Sequence, residues 1–445
     1  MHIKHITVKN FRCFEHLEFD LNPDINIFVG NNGSGKSAVL DAIAATMFPY
    51  VRHIQKMIAS KNKDNSSIFL RDFPAIENDS KQKKEMEFAV VLNDLFHWNT
   101  IYYKKTNKGD NNERIDIIIN SPASFFLSLK RLANTERKNN GDVLKSNPNS
   151  ELSVIAYYKG NRNLSNDINL KNITNQSFDR FDSLKNAFDA IANFTDLINW
   201  FFIREFEELR QGKSRGDINY ELPDLKQVRN AIKTIIHPEA RVYCTQTTSI
   251  KLMVEWTMET GEKRELTLNQ LSAGYRNMLA LVMDFARRLA QANPNLENPL
   301  EAEAILMIDE LDLHLHPTWQ QKIIPDLRKV FPNTQIIATT HSPEIVTTVD
   351  HNQVWILEDY QIKPCPYLTK GMKSSDIVRY VLGLQNLRPD TEESRKLTAL
   401  FQAIDNENLE EAKRLQQELQ EWEFFDADMT RADIQIRRLE RRLSA

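Results

Sequence analysis

The sequence predicts an α/β protein: a phosphate-loop fold with a mixed β-sheet, a largely helical insertion and C-terminal helices. Three observations predict it. A glycine-rich loop, GNNGSGKS at residues 30–37, stands between an apolar β-prone segment and a segment of helical spacing. A short apolar run at 304–308 ends in Asp309–Glu310. A second run, QIIATT at 335–340, ends in His341.

The loop matches the pattern G-x-x-x-x-G-K-[ST] without a mismatch, and strand, loop and helix follow in the order that such a loop needs. Gly30, Gly33 and Gly35 let the backbone curl, so that the N–H groups of Gly30, Asn31, Asn32, Gly33, Ser34 and Gly35 surround phosphate oxygens. Lys36 is placed to reach the β- and γ-phosphates, and the Ser37 hydroxyl to ligate Mg²⁺. Further on, 87–92 and 115–119 read as strands, 59–84 is polar and charged, and 134–150 is an Asn-, Lys- and Ser-rich loop. Residues 156–162 read as a strand and loop. Arg162 there either approaches nucleotide or sits in a solvated turn. Residues 163–216 read as largely helical with aromatic anchors. The separation of Ser37 from Leu271 exceeds what a compact nucleotide fold needs. No sustained heptads fill it, so the insertion is globular or a short helical arm.

LSAGYR, from Leu271, places Ser272 and Gly274 where a helix begins, an anion-binding end with a favourable dipole. Residues 305–308 then read as a buried strand. Asp309 at its end is placed to hold Mg²⁺, and Glu310 to orient or deprotonate a water. His341 closes the set, at a strand end where an imidazole can bond a γ-phosphate and register its loss. The order phosphate loop, signature, acidic strand end and histidine is that of an ABC-type ATPase head using ATP and Mg²⁺. In that arrangement neither chain holds a complete site, so a homodimer or higher homo-oligomer is expected. His314 and His316 have a ligand-like spacing, but nothing completes a zinc site; they read as interface or structural residues. No Q-loop glutamine is identified: Gln55 follows the first helical region without the expected strand.

Past residue 391 the chain reads as charged helices. The last, 428–443, sets Arg431, Arg437, Arg438, Arg441 and Arg442 around Ile434, Ile436, Leu439 and Leu443. It is either a docking helix for a protein or nucleic acid, or an amphipathic helix packed on the head. The expected division is an N-terminal lobe at 1–120, a mainly helical insertion with strands at its ends at 121–265, a C-terminal lobe at 266–365 and a helical region at 366–445.

Composition bounds the remainder. The 445 residues suffice for a large core, and a net charge of −4 argues against a DNA-coating protein. Three scattered cysteines form no disulfide or zinc framework. No signal peptide or apolar run of membrane-spanning length is present, which fits the cytoplasm.

The opening segment, IKHITVKNFRCF at 3–14, resembles the first strand of RecF, SMC and OLD-type ATPases. The segment WFFIREFE at 200–207 resembles one in prokaryotic defence ATPases, and similarity continues through 225–236, 250–255, 268–289 and 374–413. Together these segments resemble the PtuA family of Septu-type antiphage systems and of some retrons. It implies an HNH-type nuclease partner, PtuB-like, with nucleic acid contacted directly or through that partner, and no membrane. Two alternatives stand: a RecF- or SMC-like repair ATPase with the same head motifs, and an OLD-like ATPase-nuclease. The second needs an Asp-x-Asp pair after a strand, and past His341 only Asp426 and Asp428 offer one, in a helical tail.

Overall fold

The computed structural model describes residues 1–58, 85–92, 96–106, 113–120, 151–160, 178–188, 194–246, 250–257, 261–422 and 426–443. The expected segments 59–84 and 134–150, residues 163–177 of the expected helical stretch, and Arg162 lie outside them. The chain divides into two units, Met1–Ile377 and Val378–Ala445.

In the first unit, β1 (Ile3–Phe11) and β2 (Phe14–Asp20) form a hairpin whose turn holds Arg12 at φ 50°. Strand β3 (Ile25–Gly30) leads through the glycine loop into α1 (Lys36–Ile58). Gln55 lies inside this helix. Strands β4 (Glu85–Leu92), β5 (Phe96–Thr106) and β6 (Glu113–Asn120) extend the hairpin into an antiparallel sheet of order β2-β1-β4-β5-β6. The buried Trp98 Nε1–H donates to the Thr46 carbonyl at 2.8 Å and fixes α1 against this sheet.

The second sheet positions the site. Strand β7 (Val154–Tyr158) precedes α2 (Phe194–Arg215) and α3 (Pro223–Ile235), and β8 (Arg241–Gln246), β9 (Ile250–Thr257) and β10 (Lys263–Thr267) form a separate antiparallel sheet. Helix α4 (Ala273–Ala292) follows, then β11 (Ala304–Ile308), α5 (Ile323–Val330), β12 (Thr334–Thr339), β13 (Val354–Glu358) and β14 (Gln361–Pro364). The order is β14-β13-β3-β12-β11-β7, all parallel except the edge strand β14. Every residue of β7, β11 and β12 is buried, as strands covered on both faces require. The two sheets are joined by an amide: Gln335 on β12 accepts from the Ile3 N–H and donates to the Ile3 carbonyl, both at 2.8 Å. Phe19 on β2 and Phe28 on β3 meet edge to face at 5.8 Å.

The second unit contains α6 (Glu392–Asp405), α7 (Leu409–Glu418) and α8 (Ala427–Leu443). Met429, Ala432, Ile436 and Leu439 repeat every three or four residues and are buried, and the first three join Leu397, Leu400 and Leu415 in one apolar cluster. Ile434 and Leu443, read from sequence as part of that face, are exposed: Ile434 falls off the stripe, and Leu443, in phase with it, is the last residue of the helix. Asp426 and Asp428 both bind Arg388, at 2.7 and 2.6 Å. Their spacing serves an ion pair.

Candidate nucleotide site

The carboxyl ends of the parallel strands gather the polar groups at one edge, the place where open α/β sheets take ligands. Gly30 ends β3, and a Cβ there would run into the Leu357 carbonyl oxygen. Gly33 and Gly35 hold φ of +79° and +100°, a backbone that only glycine adopts readily. A Cβ at Gly35 would also crowd Phe14 and Cys13, at 3.1 and 3.2 Å, so the tip of the β1–β2 hairpin seals the loop from outside. Asn31, Asn32 and Ser37 are exposed, and the Ser34 hydroxyl is buried without a partner. A glycine cradle, an orphaned hydroxyl and a helix N-terminus form a donor set that fits a nucleotide triphosphate.

Lys36 is 7% exposed, and its ammonium donates to the Gly30 and Asn31 carbonyls at 2.9 and 2.8 Å. Burial lowers its pKa, while Asp309, Glu310 and Asp312 act in the opposite sense. Both sequence-expected acids therefore lie near enough for their charge to act on the lysine. Their positions are set by Thr339, at the end of β12. Its hydroxyl donates to Asp309 Oδ1 at 2.6 Å and accepts the Glu310 N–H at 2.8 Å. Glu310 sits at φ 50°, and Gly160 lies under its carboxyl group, where a Cβ would come within 3.0 Å. A buried Asp309 carboxylate and an exposed Ser37 hydroxyl supply hard oxygen donors of the kind Mg²⁺ takes.

His341 follows on the next strand end and is exposed. Its backbone N–H donates to Asp312 Oδ1 at 3.2 Å, and the Thr340 hydroxyl donates to the same oxygen at 2.6 Å. Partial burial and then the nearby Lys36 charge lower the imidazole pKa, while the Asp312, Glu310 and Asp309 carboxylates act in the opposite sense. The ring is thus kept neutral at neutral pH.

The signature residues stand apart from this group. Ser272 caps α4, accepting the Tyr275 N–H at 3.4 Å. Gly274 is buried against the loop after Glu310, where a Cβ would run into the His314 carbonyl oxygen. Among the described residues no hydrogen bond joins Ser272 or Gly274 to residues 30–37. Tyr275 is exposed, lying parallel to Trp256 at 6.1 Å and edge-on to Trp319 at 4.5 Å. His316 caps the short helix Pro317–Gln320, and His314 holds φ 62° to present its carbonyl. No group of three metal-binding side chains occurs among the described residues.

Four contributors escape a linear reading of the sequence: Thr339, Asp312, Gly160 and the Arg12–Asp41 pair, 2.5 Å apart beside the loop. Thr339 and Asp312 lie inside motifs that the sequence exposes, but their partners follow only from strand register. Thr339→Val keeps the side-chain shape and removes the hydroxyl. It should cut ATP turnover about 10- to 100-fold with little change in nucleotide affinity, as loss of an orienting group does. Phosphate-release kinetics alongside a fluorescent-nucleotide titration measure both; wild-type turnover would show that the acids hold their places without Thr339.

Residues 1–346 match the family model of the AAA ATPase domain. The retron Vc95 probable ATPase of Vibrio cholerae serotype O1 biovar El Tor is 30% identical over 408 residues, covering 81% of this chain and 74% of that protein. The Septu protein PtuA of Bacillus mycoides (strain KBAB4) is 25% identical over 440 residues, covering 95% of this chain and 51% of that protein, so this chain spans about half its length. Among solved structures, an SMC head bound to the C-winged helix domain of ScpA aligns with a TM-score of 0.43 and 14% identity, over 82% of this chain and 96% of that one. The chain belongs to the AAA ATPase domain family, in the group of the retron and Septu PtuA ATPases.

Proposed function

We propose that this protein is the ATPase subunit of an antiphage defence complex, binding and slowly hydrolysing ATP at composite sites between two copies, and that it assembles or gates a separate HNH-type nuclease. One observation carries the composite-site reading. Within one chain the acids and His341 act on Lys36 in the phosphate loop, whereas Gly274 packs on the His314 carbonyl and, among the described residues, neither Ser272 nor Gly274 bonds to residues 30–37. A second copy is needed to bring a signature helix N-terminus to the phosphates.

In this reading the Lys36 ammonium exchanges its two carbonyl partners for the β- and γ-phosphate oxygens. Ser37 and Asp309 hold Mg²⁺, which when bound neutralises charge on those oxygens. Glu310 accepts the proton of the attacking water, and His341 bonds the γ-phosphate from the side. Ser272 and Gly274 of the other copy close the site with backbone donors and the positive end of α4. Hydrolysis releases that clamp, and the altered dimer gates the partner.

The nuclease assignment to another chain rests on the resemblance to PtuA and on Asp426 and Asp428 being committed to Arg388. Among the described residues no helix is long and apolar enough to cross a membrane.

Mixing two inactive variants tests the shared site. Lys36→Ala removes the phosphate partner. Ser272→Asp retains a good N-cap but aims a carboxylate at the phosphate. The mixture should recover ATP turnover that neither variant has alone, because one intact site forms per heterodimer. A mixture as inactive as its components would place each site within one chain.

The gating claim has its own test. The purified chain should bind and hydrolyse ATP without cutting DNA or RNA, and cleavage should appear with its HNH partner and vary with nucleotide. Mg²⁺-dependent cleavage by the lone chain, abolished by a substitution within it, would overturn the assignment.

A further inference from the structure

We propose that Tyr158 is a positioning residue that couples the two nucleotide sites of a dimer, by tying the acidic strand end of one site to the signature helix that the same chain lends to the other. The inference rests on the composite-site reading above.

Strand β7 carries two adjacent tyrosines, whose side chains leave the sheet on opposite faces. Tyr157 faces Asp41, one turn beyond Ser37 on α1. Tyr158 faces α4, and its hydroxyl donates to Asp284 Oδ2 at 2.8 Å in the buried interior. The backbone of the same residue reaches the site, since its carbonyl accepts the Asp309 N–H at 2.8 Å. A single residue therefore touches the magnesium-binding acid through its main chain and the signature helix through its side chain.

Asp284 is a firm attachment point. Arg287 and Arg288 donate to its two oxygens, each at 2.7 Å, and Arg288 also donates to the Ser183 and Lys185 carbonyls at 2.7 and 2.9 Å. Burial pushes the Asp284 carboxyl up, but Arg288 and Arg287 outweigh it and hold it below the usual carboxylate range. Burial and the Asp284 charge push the Tyr158 hydroxyl well above its ordinary range, so it remains a donor. A buried directional bond to a charged acceptor resists the sliding that an apolar contact allows.

Two further contacts make α4 and the β7–β11 edge move together. At the C-terminal end of α4, Asn293 accepts the Leu152 N–H at 2.7 Å and donates to the Leu152 carbonyl at 3.1 Å, just ahead of β7. At the N-terminal end, Gly274 seals on His314. Ser272 lies about 18 Å along the axis from Asp284, at 1.5 Å per residue. A shift at Asp309 on nucleotide loading thus reaches the helix end that serves the neighbouring site.

The test is the ATP dependence of hydrolysis by the full chain, with light scattering to follow ATP-induced dimerisation. Wild type should dimerise and show a Hill coefficient above one. Tyr158→Phe keeps the ring and leaves Asp284 both arginines, so the chain should fold, dimerise and bind nucleotide as before, while the Hill coefficient drops to one. Asp284→Glu keeps the charge but displaces the acceptor, and should do the same should Tyr158→Phe prove unstable in a thermal melt. Tyr157→Phe removes an equally buried hydroxyl on the other face and should leave the Hill coefficient at the wild-type value. Wild-type cooperativity in both Tyr158→Phe and Asp284→Glu, loss of cooperativity in Tyr157→Phe as well, or a dimeric wild type without cooperativity would overturn the coupling and leave the composite site standing. A wild type that never dimerises with ATP would remove both.

Discussion

The backbone hydrogen bonds that hold β3, β12, β11 and β7 in parallel register decide where every charged group of the site lands. Ile308 lies opposite Ala338 on one side and Tyr158 on the other, and Thr339 lies opposite Phe28. One residue further along stand Asp309, Thr340 and Lys159, and Gly30 ends β3 two residues past Phe28. With side chains alternating between faces, a slip of a single residue would turn Asp309 away from Thr339 and Lys36. The continuous apolar runs prevent that slip, because helices cover both faces and any shift would bury polar groups.

On this frame the site stores charge in a ready state. Lys36 donates to carbonyls of its own loop while three carboxylates partly offset the effect of its burial. Phosphate oxygens are stronger acceptors than carbonyls, so exchange requires little rearrangement of the lysine. Glu310 and His314 both occupy the left-handed region without being glycine. Each such residue costs about 1–3 kcal/mol, and both lie within the 309–314 segment that carries the acids and receives Gly274. The strain is offset by Thr339 beneath the Glu310 N–H and by the packing of α4 on the His314 carbonyl.

What could be read from the sequence was what lies contiguous in the chain. The glycine loop, the acidic end of β11 and the histidine after β12 each combine a strand with a functional residue in a few positions, so local pattern suffices. What could not be read depends on contacts between strands far apart. Thr339 meets Asp309 only through register, Gly160 makes room for Glu310 only because β7 lies beside β11, and Gln335 serves the Ile3 backbone across two sheets. Tyr158 is the same kind of case: a strand tyrosine in sequence, and in the structure a bond to a helix more than a hundred residues away. In the C-terminal unit the helices were legible from their charge pattern. Which apolar residues of α8 are buried was not, since Ile434 differs from Ile436 and Leu439 only in phase, and Leu443 only in standing at the helix end.

The central claim is that two copies share each nucleotide. Its most direct measurement is an experimentally determined structure of Glu310→Gln with ATP and Mg²⁺, a variant that retains the binding groups and removes the proton acceptor. The account predicts a dimer in which the phosphates held by Lys36 and Ser37 of one chain contact Ser272 and the Gly274 backbone of the other. A nucleotide enclosed within one chain, with the N-terminus of α4 facing solvent, would contradict it.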